Sequence, residues 1–194
     1  RQRQMCIRDR DEANPLNDSI KKMLGKLLGV QGSLPRRPAA QIRLSAPRTT
    51  ERDRGVFAGI VGEAFVSSDD DQRMPRARGK SYLDLLDWRI DREIDAPDLV
   101  VAPATDGEVL RILEYCTEEK IAVVPFGGGT SVVGGLNPVD GGHRAVISMD
   151  LARFDQLEDV DPVSGLATLG SGLSGPHAEM LLSEEGLQLG HFPQ

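Results

Sequence analysis

The sequence predicts an α+β fold, a small parallel β-α-β sheet followed by an antiparallel sheet. Three observations lead there. Asp98-Leu99-Val100-Val101-Ala102 and Ile121-Ala122-Val123-Val124 are short apolar runs of buried-strand type on either side of a helical pattern. The order strand, helix, strand implies a right-handed parallel crossover. Further on, Phe154 to Val160 and Gly165 to Leu169 flank Asp161-Pro162-Val163-Ser164, which reads as a hairpin.

Taken in order, residues 1–14 read as a leader outside the fold, non-native or disordered. Arg1 to Arg10 has neither periodicity nor turn chemistry and resembles translated adapter or vector sequence. Residues 15–95 form a helical and linker region. Within it, Pro15 to Gly29 is an amphipathic helix: Ile20, Met23, Leu24, Leu27 and Leu28 make one stripe, with Lys21, Lys22 and Lys26 off it. Docking onto the protein's own core is favoured over a membrane or partner surface, because aromatic anchors are absent. Gln31 to Asp71 reads mostly as linker, interrupted by Pro35, Pro38 and Pro47. A short helix is expected in Val56 to Val66, and Ser67 to Asp71 reads as a solvated turn.

Ser81 to Asp95 carries Tyr82, Leu85, Leu86 and Ile90 at near-helical spacing, and Ala96-Pro97 stops it. Before it, Arg73, Arg76, Arg78 and Lys80 read as a solvated basic face. Residues 96–194 are the first part of a ligand-binding domain. Pro103 ends its first strand. Thr105 and Glu108 form a capping box for the next helix, whose buried stripe is Val109, Ile112, Leu113 and Cys116. After the second strand and a glycine loop come a polar turn, Asn137 to His143, and a third strand, Ala145 to Met149. The hairpin follows, then a helix from Pro176 to Glu185 with Gly186 at its end.

The function-bearing stretch is Pro125-Phe126-Gly127-Gly128-Gly129-Thr130-Ser131-Val132-Val133-Gly134-Gly135. Such glycine density suits backbone that presses against a ligand, and successive N–H groups form a nest for anions. Thr130 and Ser131 add hydroxyl donors at the rim. The loop reads as a pyrophosphate cradle at the carboxyl end of a strand, where open α/β sheets bind ligands. A plain turn between strands is the alternative. A Walker loop is excluded, since it needs a Lys before the Ser/Thr and no Lys follows Lys120. The G-x-G-x-x-G fingerprint fails here because Val132 replaces the third glycine.

Gly170-Ser171-Gly172-Leu173-Ser174-Gly175 does match that fingerprint. It follows a hairpin strand rather than a βαβ strand, so it is read as a structural turn and not as a nucleotide site.

Composition narrows the function classes. The 194 residues hold one domain or one and a half. Residues 1–54 carry net charge +7 and residues 55–194 carry −14, so the acidic body argues against a nucleic-acid partner. No apolar run reaches the roughly 18 residues of a membrane span, and no signal peptide is visible. Cys6 and Cys116 are too few for a disulfide framework and too far apart in sequence for a metal pair. Both read as reduced thiols, and a cytoplasmic location is expected. No metal site is expected.

The run Pro125 to Ser131, P-F-G-G-G-T-S, resembles the cofactor loop of vanillyl-alcohol oxidase-type flavoproteins, and most of all the alkyldihydroxyacetonephosphate synthase-like branch. The resemblance extends collinearly from about Pro15 to Gln194 and includes an Arg-x-x-Arg-Ala-x-Gly segment matched by Arg73 to Gly79. It implies FAD bound by Pro125, Phe126, Gly127, Gly128, Gly129, Thr130 and Ser131. The cofactor is expected to be non-covalent, because this loop lacks the histidine that tethers flavin in some relatives. The implied activity is exchange of the acyl chain of acyl-dihydroxyacetone phosphate for a long-chain alcohol, through a flavin N5 adduct and without net redox.

His191, in Gly190-His191-Phe192-Pro193, is the catalytic histidine that the resemblance places in this chain; a surface histidine is the other reading. The partners implied are FAD and a small or lipid-like substrate, and a homodimer of the full-length protein stays open. An FAD-dependent 2-hydroxy-acid dehydrogenase or oxidase, of lactate or glycolate type, is the second enzyme reading. A non-catalytic nucleotide-binding fragment is the third. The chain is expected to be the amino-terminal part of a longer flavoprotein, truncated within its FAD domain and inactive alone.

Overall fold

The structure is a computed structural model that describes residues 17–29, 37–38, 41–90 and 92–190. The leader 1–14 and His191 lie outside the described residues. The chain divides into two units, residues 1–35 with 190–194, and residues 36–189.

In the first unit, helix α1 runs Asp18–Leu28. It starts later than Pro15 because Asn17 caps it, its side chain accepting from the Ile20 N–H at 2.9 Å. Gly29 ends it in the left-handed region, at φ 65°.

The second unit opens with a two-residue strand, β1 (Arg43–Leu44), and helix α2 (Glu51–Val61). The expectation of a linker over 31–71 therefore fails in its second half. Thr50 and Asp53 make a reciprocal capping box that starts α2 well before Val56. A 3-10 turn, Glu63–Phe65, leads into strand β2 (Val66–Ser67). Asp69 to Asp71 enter a short helix, α3 (Asp70–Arg73), rather than a solvated turn, and a 3-10 turn follows at Met74–Arg76. Helix α4 is only Tyr82–Asp87, closed by a Ser81/Asp84 box. Its expected continuation is instead strand β3 (Glu93–Ile94), parallel to β1. Two-residue strands are too short to show an alternating pattern, so sequence periodicity does not find them.

Strand β4 (Leu99–Val101), helix α5 (Asp106–Glu119) and strand β5 (Ile121–Phe126) form the expected parallel unit. Its cap differs from expectation. Thr105 accepts from the Glu108 N–H at 3.2 Å, but the Glu108 carboxylate reaches the Ala104 N–H at 2.7 Å, one residue further back. Strand β6 (Ala145–Asp150) inserts between the crossover's two strands, parallel to both, and β2 closes the β4 edge antiparallel. The order is β2-β4-β6-β5. Beyond it, β7 (Leu157–Asp161) and β8 (Leu166–Leu169) form the antiparallel hairpin, and helix α6 (Gly175–Glu184) packs against β7. Strand β7 begins later than Phe154 because Phe154 turns back, its N–H bonding the Leu151 carbonyl at 3.0 Å.

Side chains alternate across a strand, so β6 serves two faces. Ala145, Ile147 and Met149 join Phe57, Leu99, Val101, Ile112 and Cys116 in the main core under α2 and α5. Phe57 packs edge-to-face on Tyr115, with ring centroids 5.3 Å apart. Burial pushes the Cys116 thiol up to about 12, so it acts as a small core hydrophobe. The opposite face carries Val146, Ser148 and Asp150, all buried. Because β4, β5 and β6 are parallel, their carboxyl ends converge on one edge, where the glycine loop emerges.

Candidate functional site

Phe126, the last residue of β5, pairs in register with Asp150, the last of β6. The chain leaves β5 there as Gly127-Gly128-Gly129-Thr130-Ser131. Gly127, Gly128 and Thr130 are exposed, while Gly129 and Ser131 are half-buried. Gly129 sits at φ 68°, and a Cβ there would lie 2.9 Å from the Phe126 ring. Gly128 is different: its φ is not in the left-handed region, and a Cβ would meet nothing nearer than Thr130 Cγ2 at 3.8 Å. Gly129 shapes the loop, whereas Gly128 keeps its outer surface open.

Among the described residues, no backbone N–H from Gly127 to Gly134 donates to another main-chain carbonyl. The next one, Gly135, donates to Ser131 Oγ at 3.1 Å. A run of uncommitted donors beside open glycine surface is what an anionic diphosphate needs. The residues present therefore fit the pyrophosphate of a dinucleotide.

The loop is held from below by the segment that the sequence marks as a solvated basic face. That expectation is corrected for the three arginines, while Lys80 is exposed. Arg73 is 1% exposed and donates to the Pro97 carbonyl at 2.7 Å, to Asp70 at 2.7 Å and to the Ser45 carbonyl. Arg78, 8% exposed, bonds Asp87 at 3.0 Å and the Asp95 carbonyl at 2.9 Å. Arg76 bonds the buried Asp150 carboxylate through Nε at 2.8 Å and through Nη2, and the Gln72 carbonyl through Nη1 at 2.6 Å. Its guanidinium lies 5.2 Å from the centroid of Phe126. At the other end of the loop, the Lys80 N–H bonds the Ser131 carbonyl at 2.7 Å. A Cβ on Gly79 would stand 2.2 Å from that same oxygen, so only glycine permits the approach. Solvated-face logic missed these residues because it counts charges without counting acceptors. The signal available was the pairing of four closely spaced cations with an acidic body.

The second glycine run behaves as the structural turn expected of it. Cβ atoms on Gly170 and Gly172 would each lie 2.2 Å from a carbonyl oxygen, of Phe154 and Leu151 respectively. Their N–H groups are committed, Gly170 to the Gln156 carbonyl at 2.9 Å and Gly172 to the Phe154 carbonyl at 2.8 Å. These glycines let two backbone segments cross, and their own N–H groups are spent on that crossing. The Ser171 carbonyl, 3.8 Å from a Cβ position on Gly127, places this turn beside the cradle.

Of the other sequence-stated residues, Pro125 and Phe126 belong to β5. The Leu189 N–H bonds Glu179 at 2.9 Å, and His191 lies outside the described residues.

The groups with the largest pKa displacements lie at the far end of the sheet, where β5 and β6 begin. Buried Asp53 accepts both Arg144 η-nitrogens, at 2.9 and 2.7 Å, and the Tyr115 hydroxyl at 2.7 Å. The Arg144 bonds hold the Asp53 carboxyl well below the usual carboxylate range. Burial, reinforced by the bond to Asp53, pushes the Tyr115 phenol up to about 12. This cluster joins α2 and α5 to Arg144, the residue before β6, and its charges are spent on one another. Among the described residues, no group of three or more metal-ligating side chains is assembled, and no helix is long and apolar enough to cross a membrane.

Comparison with known proteins adds a family match, two relatives and two solved structures. The FAD binding domain family matches residues 97–194. Over 190 residues the chain is 32% identical to alkyldihydroxyacetonephosphate synthase of Trypanosoma brucei brucei, covering 92% of this chain and 30% of that protein. It is 33% identical to a putative mitochondrial D-lactate dehydrogenase of Schizosaccharomyces pombe, covering 72% of this chain and 25% of that protein. A solved alkyldihydroxyacetonephosphate synthase superposes with TM-score 0.78 at 28% identity, over 90% of this chain and 34% of that one. p-Cresol methylhydroxylase superposes with TM-score 0.57 at 19% identity over 73% of this chain and 27% of that one, a likeness of fold alone. The chain thus spans about a third or less of the length of each of these four proteins.

Proposed function

We propose, for a chain that belongs to the FAD-binding domain family, that the loop Gly127 to Ser131 holds the FAD pyrophosphate non-covalently. The complete gene product is then an alkyldihydroxyacetonephosphate synthase-type enzyme, exchanging the acyl group of acyl-dihydroxyacetone phosphate for a long-chain alcohol. The observation that carries the synthase assignment is the reach of the similarity. At 32% identity it covers 92% of the chain, including the Arg73 to Lys80 segment that grips the loop, against 72% for the dehydrogenase.

In this reading FAD supplies the electrophilic and electron-accepting chemistry that side chains lack. The chain supplies placement. The uncommitted N–H groups of Gly127 to Ser131 bind the phosphate oxygens, and the Thr130 hydroxyl stands at the rim. Ser131 is engaged inward, through Gly135 and Lys80, and so fixes the end of the cradle. His191 takes an acid–base part that rests on the resemblance alone; an imidazole's ordinary pKa near ~6.5 suits it to move a proton in either direction.

A D-2-hydroxy-acid dehydrogenase is the second reading, favoured by the 33% identity to the fission-yeast protein. One assay separates the two. The purified gene product is given palmitoyl-dihydroxyacetone phosphate and hexadecanol without an electron acceptor, and separately D-lactate with a dye acceptor. The synthase reading expects ether product in the first tube and no dye reduction in the second. Lactate-dependent bleaching without ether product would replace it with the dehydrogenase.

A further inference from the structure

Two contacts tie the segment 72–80 to opposite ends of the glycine loop. At the loop's start, Arg76 stacks on Phe126, 5.2 Å from the ring centroid, and the ring in turn lies under Gly129. At the loop's end, the Lys80 N–H holds the Ser131 carbonyl at 2.7 Å across the close approach of Gly79. We propose that this segment is a clamp that sets the span of the cradle, and that Arg76 is its positioning residue, acting on the cofactor through Phe126 rather than by touching it. The inference rests on the FAD reading of the loop.

The arrangement of Arg76 fits a positioning role. All three guanidinium nitrogens are engaged, two on Asp150 and one on the Gln72 carbonyl. Three of its five N–H donors are thereby committed, which fixes the plane of the guanidinium. The pair is largely shielded, with side-chain exposures of 16% for Arg76 and 6% for Asp150. Asp150 is itself fixed by the Ala152 N–H at 2.9 Å. A planar cation held by three hydrogen bonds against the ring face restricts Phe126 to one orientation. That orientation is what lets Gly129 adopt φ 68° with the ring only 2.9 Å from a would-be Cβ. Loop shape, and with it the direction of the N–H groups, follows from the Arg76–Asp150 pair.

Removing Arg76 alone would also strand a buried carboxylate, which is a stability effect. The test therefore uses Arg76→Met together with Arg76→Met/Asp150→Asn in the complete gene product. Apo-protein thermal midpoints and FAD dissociation constants, from flavin fluorescence, are read for each. The far-end variant Arg144→Met serves as a stability-only control. The expected result is that the double variant regains most of the midpoint lost in Arg76→Met. Its FAD affinity stays about tenfold weaker than wild type, the scale of one shielded cation–π contact. Arg144→Met should lower the midpoint with affinity unchanged. If affinity returns together with the midpoint in the double variant, Arg76 merely neutralises Asp150 and the positioning role is wrong. If wild-type protein itself fails to bind FAD, the cofactor reading falls, and the clamp falls with it.

Discussion

Replacing Gly128 and Gly129 separately distinguishes the binding surface of the loop from its shape. A Cβ at Gly128 projects into open space, 3.8 Å from Thr130 Cγ2, and φ there is not positive. Gly128→Val should therefore leave apo stability within about 0.5 kcal/mol of wild type, the usual range for a surface substitution. The isopropyl group then occupies the volume that a phosphate needs, and affinity should fall at least about 100-fold, equivalent to roughly 2.7 kcal/mol. Gly129→Ala is the converse. Left-handed backbone costs a non-glycine residue about 1–2 kcal/mol, and its Cβ would press on the Phe126 ring at 2.9 Å. Stability should drop by about that amount, and affinity should weaken as the ring leaves its place against Arg76. Chemical denaturation of the apo-protein and fluorescence titration with FAD measure both quantities. Gly128→Val protein that binds FAD within twofold of wild type would refute the cradle reasoning, whatever Gly129→Ala does.

Three further outcomes follow from other parts of the molecule. Acid precipitation of the holoenzyme should leave flavin in the supernatant, since Gly127 to Ser131 contains no histidine and His143 precedes β6, at the opposite end of the sheet; colour in the pellet contradicts this. Because the folded pKa of Asp53 is depressed, its contribution is complete above about pH 4 and is lost as pH falls below it. Arg144→Met should accordingly cost roughly 1.5–3 kcal/mol at pH 7, and its deficit should shrink toward pH 3 in urea titrations; a deficit independent of pH would show that the ion pair is not its source. Arg73→Met, which strands two carbonyls that the buried guanidinium satisfies, should destabilise the protein by about 2–4 kcal/mol, and a change below 1 kcal/mol in the same titration would return the segment to a solvated face.

The parallel unit and the glycine loop at its end were legible because each rests on local chemistry. Apolar runs of strand length, a Thr105 cap and five glycines in nine residues carry their meaning without tertiary context. The Gly170 turn was separable from the cradle by its place after a hairpin, and the carbonyls facing Gly170 and Gly172 give the physical reason. What escaped was non-local. Asp150 gives no sign in sequence that its partner is Arg76, and Gly79 looks idle until Ser131 is placed against it. Insertion of β6 between β4 and β5 depends on how the chain returns after the loop, which periodicity does not encode. Helix α2 is an intermediate case. The Thr50-Glu51-Arg52-Asp53 box was available as a start signal but lay inside a stretch whose prolines suggest a linker.

Hydrogen–deuterium exchange on the complete gene product, with and without FAD, tests the central claim most directly. Peptides covering 125–135 report on the cradle, and peptides covering 168–176 report on the neighbouring glycine turn. The N–H groups of Gly127 to Ser131 have no main-chain acceptor among the described residues, so FAD should slow their exchange markedly. Within 168–176, the Gly170 and Gly172 amides, already bonded, should change little. Protection confined to 168–176, with exchange across 125–135 unaltered, would contradict the account.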